Sequence, residues 1–568
     1  MKKLIRIFSG LIALSLAPSI LSGQDFLKNS QVSGSFQADA AFYQPDSKMG
    51  ITSQSLNGQV ARMNGFTEVN YDYKNFSAGA RFEAYLPPLL GYDASYQGAG
   101  LPYWYAKYQN DLLEVTAGNF YEQFGTGMTF RTYQDWTLGY DNSMRGLRVK
   151  FMPYKGIVIT GIYGFQRFYW VPFQDNNRGI VKGIDGNFNL NDMFNALTNA
   201  KLKITLGGSC VSDYQKGQTM NYTIGDKVYT LKLPENVACY GGRLNLNYSG
   251  FNFYSEYAHK INDPSQMNSY IYKNGDAILF DLSYSRKNLG IELKSKWIDN
   301  FSFKSMRTYT LNAVDINYLP AITKEHTYFL SSMYPYATQT TGEVGFAGGI
   351  VYTIKKNSKL GGKTGLTLTL DFSKVNSIAK TPLNDTTPVG QTGTLGYNSK
   401  FYSIGKEIYY QEVQFEATKK IGKKVKCIFD YLYQTYNKAV IQAEPQYPTI
   451  YSHIGIADVA YNLTKKLSLR WELQGLWTKQ DNGNWAAGLM EVTISPKWFF
   501  SVSDQWNYGN SVASQQLHYY NVAGGFIYNT SRIQLSYGRQ RDGIVCVGGV
   551  CRYVPKSSGF TVTITSSF

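Results

Sequence analysis

A two-residue alternation of apolar and polar side chains runs through most of this chain and constrains the fold more than any other feature. It is visible near the start, in segment 32–42, where Val32, Phe36 and Ala38 stand between polar neighbours. Because successive side chains of a β-strand point to opposite faces, the alternation predicts strands with one apolar and one polar face. The same pattern recurs in three further segments: 76–84, 366–372 and 467–477.

The length of these segments narrows the class of β-protein. Many of them extend over ten residues or more. Strands of soluble proteins average about five or six residues, whereas strands that cross a membrane need roughly 9–11. The alternative is a soluble β-sandwich or propeller, for which shorter strands and more evenly spaced turns are expected. Composition also favours an all-β fold, since Tyr (47), Gly (54) and Phe (32) are abundant in the 568 residues.

The connections between the predicted strands alternate between short and long. Short ones fall near 74–75, 109–111, 153–155, 249–250, 286–288, 355–361, 419–423, 463–466, 495–497 and 529–532. An eleventh, 191–200, is predicted to be a short helix with Asn191 as its N-cap. The long ones are 44–58, 87–100, 122–144, 166–180, 213–236, 261–275, 299–344, 374–400, 437–449, 479–483, 505–514 and the loop that turns at Gly548-Gly549.

Eleven short and twelve long connections imply 24 strands. Short turns at one end and long loops at the other are typical of barrels in the outer membrane of Gram-negative bacteria. We therefore predict an all-β, transmembrane, antiparallel, up-and-down β-barrel of about 24 strands, with a range of about 20–26. Its short turns would face the periplasm and its long loops the outside.

The first residues have the pattern of an export signal. A basic start precedes the apolar stretch 11–21, which is too short to remain as a membrane anchor. We predict that residues 1–23 are a cleaved signal peptide and that 24–568 form a single outer-membrane barrel; the alternative is a buried first helix. The first strand is expected about eight residues after the cleavage site. This spacing disfavours a TonB-dependent receptor, whose plug precedes its barrel, so the lumen should be filled by folded-in loops, notably 122–144 and 299–344, or by a partner chain.

The last strand carries a second export feature. Phe560, Val562 and Ile564 alternate with threonines, and the chain ends on Phe568. A terminal aromatic residue on such a strand resembles the signal that the outer-membrane barrel assembly machinery reads. Phe568 is therefore the candidate assembly signal, and the assembly machinery and the outer-membrane lipid bilayer are the expected partners.

Two of the five cysteines lie in the segment Cys546-Val-Gly-Gly-Val-Cys551. Its two glycines suit a two-residue primed turn, which would place Cys546 and Cys551 opposite each other as a non-hydrogen-bonded pair. Such a pair has Cα atoms about 4.5 Å apart, within disulfide range. We predict a disulfide that closes the last extracellular hairpin; a reduced pair or a metal site is the alternative.

The other cysteines give weaker expectations. Cys210 and Cys239 flank a long loop, but their alternation places them on opposite faces, so they pair only if a neighbouring Gly-Gly forms a bulge. That pairing is left open. Cys427 shares the apolar row of Val425 and Phe429 and is expected to face lipid.

Several stretches resemble one protein family. They are 118–131 (GNFYEQFGTGMTFR), 138–146 (LGYDNSMRG), 183–186 (GIDG), 207–212 (GGSCVS) and the closing 546–552 (CVGGVCR). Together they resemble a Bacteroidota-type family of large outer-membrane β-barrels of unknown function. The resemblance spans nearly the whole mature chain and implies a signal peptide and one barrel. It implies no activity, no cofactor and no assigned site residues.

No catalytic, cofactor-binding or metal-binding pattern is present in the sequence. The four histidines are scattered, without metal-ligand spacing or a nucleophile elbow, and 125–127 (GTG) lacks the third glycine of a dinucleotide loop. We therefore predict a protein that is not an enzyme, with no cofactor. An outer-membrane hydrolase with a histidine at the rim is the least favoured hypothesis. The histidines are His259, His326, His453 and His518.

The best candidate for a functional region is 122–170, where charged residues lie among aromatic ones. The candidate lumen or constriction residues are Glu122, Arg131, Asp135, Asp141, Arg145, Arg148 and Arg167. In one interpretation their arginines narrow the lumen and select anionic or aromatic solutes. In the favoured one they form a guanidinium–carboxylate network that braces the barrel. Inward rows elsewhere mix signs, as in Arg81/Glu83, which disfavours a strongly charge-selective pore.

The formal net charge of +16 would by itself suggest nucleic acid, but its distribution does not. Loss of the signal peptide leaves 53 basic and 40 acidic residues, or +13. Fifteen basic residues lie at or beside the predicted short turns: Lys74, Lys155, Arg286, Lys287, Lys355, Lys356, Lys359, Lys419, Lys420, Lys423, Lys424, Lys465, Lys466, Lys497 and Arg532. We interpret them as contacts with anionic lipid headgroups of the periplasmic leaflet and expect no nucleic-acid partner.

Two functions follow as the main hypotheses. The first is a porin-like channel for passive or substrate-specific passage of small solutes across the outer membrane. The second is a scaffold or accessory barrel for surface-protein assembly or secretion, with a surface or periplasmic protein as its partner. Conductance in planar bilayers favours the first, and co-purified partners favour the second.

Overall fold

The computed structural model describes residues 30–170, 178–310 and 312–568, and within them 24 antiparallel strands form one closed barrel. Each strand pairs with its neighbours in the sequence, and the first strand closes the sheet by pairing with the last, with Ala38 opposite Ile564. The predicted class and number of strands are confirmed.

We number the barrel strands in chain order. They are β1 Ser30–Tyr43, β2 Ala61–Tyr73, β3 Phe76–Tyr85, β4 Gly98–Gln109, β5 Leu113–Phe120, β6 Met144–Tyr154, β7 Ile157–Gln166, β8 Ile180–Asn189, β9 Lys203–Tyr214, β10 Asn236–Tyr248, β11 Phe251–Lys260, β12 Gly275–Arg286, β13 Leu289–Asp299, β14 Gly342–Ile354, β15 Leu366–Asn376, β16 Ile408–Ile421, β17 Val425–Asn437, β18 Thr449–Asn462, β19 Leu467–Trp477, β20 Trp485–Ile494, β21 Trp498–Trp506, β22 His518–Tyr528, β23 Ser531–Gln540 and β24 Ser557–Ser567.

In the described part of the chain, eleven short connections lie at one end of the barrel and twelve long ones at the other. Within the long ones are paired short strands: Gln123–Phe124 with Phe130–Arg131, Gln134–Asp135 with Tyr140–Asp141, Thr219–Ile224 with Lys227–Lys232, Lys380–Thr381 with Asn398–Ser399, and Gly543–Val547 with Val550–Val554. The helices are the α-helical turns Leu190–Met193 and Lys438–Ile441 and the 3-10 turns Ser47–Met49, Ala94–Tyr96, Asn195–Leu197, Gln266–Asn268, Asn312–Val314 and Ala513–Gln515. Among the described residues, no helix is both long and apolar enough to cross a membrane.

The helical connection between β8 and β9 differs from the prediction at its start. The N-cap of the turn Leu190–Met193 is Asn189, whose side chain accepts a hydrogen bond from the Asn191 N–H. Asn191 itself is buried, and its side-chain nitrogen donates to the carbonyls of Leu197 and Leu202. The predicted cap is therefore wrong by two residues, because Asn191 instead holds the following segment against the helix.

The outward face of the barrel is apolar. Phe429 on β17 and Leu473 on β19 are 70% and 67% exposed, whereas the residues adjacent to them in sequence, Asp430 and Glu472, point inward and are buried. A continuous apolar surface of this kind is unfavourable in water and is satisfied by lipid. In a closed barrel the backbone N–H and C=O groups of every strand bond to neighbouring strands. Lipid offers these groups no hydrogen-bond partners, so closure is what allows the strands to lie in it. The fold is thus a membrane-spanning β-barrel.

Two of the long loops fill much of the lumen. Residues of loop 121–143, Phe124 and Phe130 among them, pack with Phe301 and Phe303 of loop 300–341 in one buried apolar cluster. Farther along loop 300–341, Leu330 and its neighbours pack against β15 to β20 in a second cluster. These contacts are those expected if loops 122–144 and 299–344 fold into the barrel.

The lumen differs between its two ends. On β17 the inward residues near the long loops, from Asp430 to Tyr436, are buried, whereas Lys426 near the short turn is exposed. On β10 the inward Val237 and Cys239 are buried, and Asn245 and Asn247 near the turn are half-buried. The lumen is therefore closed toward the long loops and forms an open, polar cup toward the short turns.

The strand register decides the outcome for the three remaining cysteines. Cys210 lies opposite Tyr240 and Cys239 lies opposite Val211, with no bulge between β9 and β10. Cys210 is exposed on the outer face and Cys239 is buried on the inner face, and neither is in a disulfide. The pairing that the sequence left open is thus absent here: Cys210 and Cys239 are not bonded, since the sheet separates them. Cys427 is half-buried in the outward row of Phe429, as predicted.

The predicted signal peptide, residues 1–23, lies outside the described residues and stays a prediction.

Candidate functional site

Four charged side chains meet where loop 121–143 touches the wall. Arg81 and Glu83 stand on the inward face of β3, and the Arg81 Nε donates to Glu83 Oε1 at 2.8 Å. Arg167, just after β7, donates through Nη2 to Glu83 Oε2 at 2.8 Å and through Nη1 to Asp141 Oδ2 at 2.7 Å. Arg81 also pairs with Asp141, which lies on the short strand Tyr140–Asp141 of loop 121–143. We call these four residues the buried quartet.

The buried quartet balances its own charge. Two guanidinium groups face two carboxylates, and each of the four side chains is at most 5% exposed. Burial raises the pKa of the Asp141 carboxyl, but Arg167 and Arg81 beside it outweigh burial, so that this pKa lies below its usual value. Buried charges are tolerated when paired and hydrogen-bonded in this way. The quartet therefore fixes loop 121–143 to β3.

A second charged group lies nearer the short turns. Arg148 of β6 pairs with Glu114 of β5, and its Nη1 lies 3.3 Å from Glu122 Oε2. Lys150 Nζ lies 2.8 Å from the same Glu122 oxygen. These side chains are partly exposed to the lumen, so solvent screens the group more than it screens the buried quartet.

The remaining predicted site residues lie apart from these groups. The Arg131 guanidinium lies between the rings of Tyr133 and Tyr318, at 4.1 Å and 4.0 Å from their centroids. Asp135 accepts a hydrogen bond from the Leu138 N–H at 3.1 Å. Arg145 donates to the carbonyl of Pro102 and lines, with Arg167 and Arg178, a cavity of about 210 Å³. The contacts of the seven candidates support the bracing interpretation.

Three wall carboxylates that the sequence did not single out hold the inner loops. Glu256 Oε2 accepts from the Thr126 N–H at 2.9 Å. Glu343 Oε2 accepts from the Gln339 N–H at 2.6 Å. Glu412 accepts from the Lys324 N–H at 3.1 Å and from the Tyr410 hydroxyl at 2.7 Å, and His326 Nε2 lies 2.8 Å from it. One sequence feature could have identified these three residues: each is an acidic residue at an inward position near the long-loop end of its strand.

The histidines occur singly. His326 lies inside the barrel beside Glu412, while His259 and His518 lie beside Asp276 and Asp504. His453 Nδ1 lies 2.7 Å from the Tyr431 hydroxyl. Over the described ranges of the chain, no group of three or more His, Cys, Asp and Glu side chains could hold a metal ion.

The last hairpin contains the predicted disulfide. Cys546 and Cys551 are bonded, with their Cα atoms 4.1 Å apart, and they pair in register as predicted. Gly548 and Gly549 turn the chain with φ of +58° and +88°, which glycine adopts without strain.

The direction of this hairpin differs from the expectation, because it folds into the lumen. The Gly548 carbonyl accepts from the Tyr318 hydroxyl at 2.7 Å and from the Ala321 N–H at 3.2 Å. The Gly549 carbonyl accepts from the Thr338 N–H at 3.3 Å. A Cβ on Gly548 would lie 2.0 Å from the Tyr318 hydroxyl. Only glycine permits this close approach. The hydrogen bonds from Tyr318, Ala321 and Thr338 then hold the turn against loop 300–341.

Two cavities share Arg541 and Ile544 in their walls. The inner cavity, about 540 Å³, is bordered by His326, Tyr410 and the disulfide hairpin. The outer cavity, about 660 Å³, is bordered by the long loops 438–448, 478–484 and 507–517. The segment that begins at Arg541 thus separates an outer chamber from an inner one.

This fold and these contacts define a membrane-spanning β-barrel whose lumen is filled at one end by its own loops. The whole sequence, residues 1–568, matches the model of a family of unknown function, DUF6029, and the chain belongs to that family. The predicted resemblance to an uncharacterised barrel family is confirmed at this level. Its Bacteroidota origin and the closing hairpin as a family motif stay predictions.

Solved structures with a similar architecture are distant. A mutant ferric enterobactin receptor of Pseudomonas aeruginosa with enterobactin bound has 12% identity and a TM-score of 0.43, over 95% of this chain and 81% of the receptor. OccK11 (OpdR) of the same organism has 8% identity and a TM-score of 0.33, over 96% and 97%. The outer membrane transporter YddB of Escherichia coli has 9% identity and a TM-score of 0.36, over 95% and 81%. Comparison with curated proteins gives no match.

Proposed function

We propose that this protein is an outer-membrane channel for small solutes whose lumen is closed toward the outside by its own loops. The observation that carries the proposal is the polarity and filling of the lumen. One half is an open, polar cup, and the other half is filled by loops that leave two adjacent chambers. A barrel that served only as a rigid support would need neither the polar cup nor the two chambers.

The membrane assignment is supported by the wall. The apolar outward face suits lipid, and a closed barrel leaves no strand edge unpaired. All-β membrane proteins of this type are built in the outer membrane of Gram-negative bacteria.

Passage requires movement of the segment between the two chambers. Arg541 and Ile544 border both cavities, and the disulfide hairpin that follows Ile544 is held to loop 300–341 by the carbonyls of its two glycines. These contacts are hydrogen bonds and packing rather than covalent links. A small displacement of the hairpin would therefore join the outer chamber to the inner one.

The test is conductance in planar lipid bilayers. The purified wild type is expected to give discrete, small current steps, because only the gap beside Arg541 opens. A variant in which a short Gly-Ser linker replaces 322–338 is expected to conduct several-fold more, because that segment fills the lumen beside β15 to β20. A wild type that stays silent over many insertions would exclude the channel.

A matched variant controls for loop shortening as such. The hairpin Thr219–Lys232 belongs to a long loop but is largely exposed, so removal of 220–231 should leave the conductance unchanged. Both variants must retain the barrel, which is checked by heat-modifiable migration on a denaturing gel. If both variants changed the conductance equally, the change would come from loop shortening as such and not from opening of the lumen.

A scaffold for surface proteins is the second candidate, and the long-loop end supplies its supporting observation. Val228 at the tip of the hairpin Thr219–Lys232 is 68% exposed, and Leu395 on a neighbouring loop is 61% exposed. Apolar side chains exposed at this end are available for contact with another protein. A scaffold predicts a partner protein that co-purifies with the wild type in mild detergent and no longer co-purifies with the 220–231 deletion. It also predicts that the wild-type barrel gives no current in planar bilayers.

A further inference from the structure

We propose that the outer cavity binds a neutral carbohydrate. The inference rests on the proposed function and deepens it, since it assigns a substrate class to the chamber that a solute meets first. The cavity of about 660 Å³ lies within the range of ligand pockets, which is about 300–1,000 Å³. Its rim is accessible, because Tyr553 at the rim is 57% exposed and lies in the long loop 541–556.

Six charged residues line this cavity and balance in sign: Lys438, Arg541 and Lys556 against Glu444, Asp481 and Asp542. Three of them are ion-paired with one another. Lys438 Nζ lies 3.0 Å from Asp481 Oδ1 and 3.5 Å from Glu444 Oε2. The Tyr334 hydroxyl donates to the other Asp481 oxygen at 3.1 Å. Since the wall carries no net charge and a charged ligand would compete with these ion pairs, the wall favours a ligand without net charge.

One neutral donor in the wall lacks a partner. Trp485 is 3% exposed and lines the cavity, and its indole Nε1–H finds no hydrogen-bond acceptor among the described residues. A buried N–H of this kind is unfavourable unless an acceptor reaches it. The Trp485 ring stacks on the Tyr519 ring at 5.7 Å, which forms an aromatic surface beside the unsatisfied donor.

The other polar groups of the cavity match hydroxyl groups. Asn482, Asn510 and Gln515 line it, and their amides can each donate and accept hydrogen bonds, as a sugar hydroxyl does. Aromatic faces provide apolar contact for the C–H faces of a sugar ring. A carbohydrate can therefore use the ring faces, the neutral amides and the single N–H donor of this wall.

The backbone at Asp481 shows that this side of the cavity is rigidly built. Asp481 adopts a φ of +51°, in the left-handed region that few residues other than glycine adopt, although aspartate does so more readily than most. The pairs with Lys438 and Tyr334 hold it there. Such strain is retained where surrounding contacts fix the backbone, and it is common at binding sites.

The test is calorimetric titration of the purified full-length protein in detergent. The probes are maltohexaose, cellohexaose, xylohexaose and mannohexaose, with an N-acetylated, C-amidated hexaglycine as the uncharged peptide probe. We expect saturable binding of at least one hexasaccharide and none of the peptide. Absence of binding by all four saccharides at 10 mM, or binding of the peptide alone, would overturn the proposal.

A matched pair of tryptophan variants locates the site. Trp485→Phe removes the N–H donor and keeps a ring, so the affinity should fall about tenfold. Trp477→Phe changes a tryptophan that is 49% exposed at the end of β19 and does not line the cavity, and the affinity should be unchanged. If Trp485→Phe does not fold, Gln515→Ala on the exposed rim takes its place, with an expected loss of several-fold. Binding that neither cavity variant weakens would also overturn the proposal.

The two proposals fail in different measurements. Saccharide binding by a protein that gives no current would leave the carbohydrate site standing and exclude the channel. Current without saccharide binding would leave the channel standing and exclude the carbohydrate site.

Discussion

At the residue scale, the position of loop 121–143 depends on a few buried ionic contacts. Asp141 pairs with both arginines of the buried quartet and also accepts a hydrogen bond from the Ser143 N–H. Removing one member of such a group leaves an uncompensated buried charge, which costs far more than loss of an exposed pair. Asp141 is therefore the residue at which a single substitution should affect the inner loop most.

We expect Asp141→Asn to lower the free energy of unfolding by about 3–5 kcal/mol, because two arginines would then face one carboxylate. The measurement is urea unfolding in detergent micelles, followed by tryptophan fluorescence. The control is Asp135→Asn in the same inner segment, where the carboxylate accepts the Leu138 N–H at a half-buried position. An Asp141 variant as stable as the control would contradict the bracing role.

The same residue gives an acid dependence. The folded-state pKa of Asp141 lies below the ordinary value of about 3.9, so its carboxylate stabilises the fold above that pH. This contribution is lost as the pH falls through the folded-state pKa, since protonation removes the partner of the arginines. Between about pH 5 and about pH 2 the urea midpoint should fall more for the wild type than for Asp141→Asn. Parallel curves would contradict the assignment.

At the scale of elements, the disulfide hairpin and loop 300–341 form one packed unit. The turn at Gly548-Gly549 accepts hydrogen bonds from loop residues Tyr318, Ala321 and Thr338. Because these bonds go to backbone carbonyls, they depend on the hairpin keeping its shape rather than on its side chains. The disulfide is what preserves that shape next to an open chamber.

We expect replacement of both cysteines, Cys546→Ser with Cys551→Ser, to destabilise the hairpin by about 2 kcal/mol, the value for a short cross-linked loop. Hydrogen exchange at the amides of Ala321 and Thr338 should then quicken by roughly tenfold or more, since both donate to this turn. Mass spectrometry after exchange measures it. The control is Cys210→Ser on the outer face, and unchanged exchange in the double variant would show that the hairpin does not hold the loop.

At the scale of the whole molecule, the barrel is electrically asymmetric. The structure places the fifteen basic residues predicted at short turns in or beside the short connections. Lys419 Nζ donates to the carbonyls of Leu360 and Gly361 and so joins two neighbouring turns. We expect lysines in this position to lie next to anionic headgroups, each contributing about 1 kcal/mol of attraction.

We expect conversion of Lys420, Lys423, Lys465 and Lys466 to glutamine to reduce folding yield in liposomes that contain anionic lipid. All four are exposed at the short-turn end, so the effect should be electrostatic and should disappear in purely zwitterionic liposomes. The matched control removes four exposed lysines from the long loops: Lys48, Lys216, Lys227 and Lys400. Equal losses in the two variants would contradict a leaflet-specific role.

Strand number and loop order could be predicted because they depend on local patterns. Alternation along each strand and turn residues between strands are properties of neighbouring residues. The helix cap at Asn189 was missed by two residues because Asn191 makes contacts up to Ile204, which no local pattern reports. Cys239 and Cys210 remained undecided for a similar reason, since a single bulge would have reversed the answer.

The candidate site was predictable only in part. Region 122–170 stood out through its arginines and carboxylates, but the partners Arg81 and Glu83 belong to an earlier strand and Glu412 binds a loop residue, His326, 86 positions away in the sequence. The sequence by itself determined a closed barrel of alternating strands, because backbone geometry sends neighbouring side chains to opposite faces. Which loops enter the lumen, which charges meet there and which cavities remain was decided only by the tertiary structure, since closing the barrel brings distant segments together.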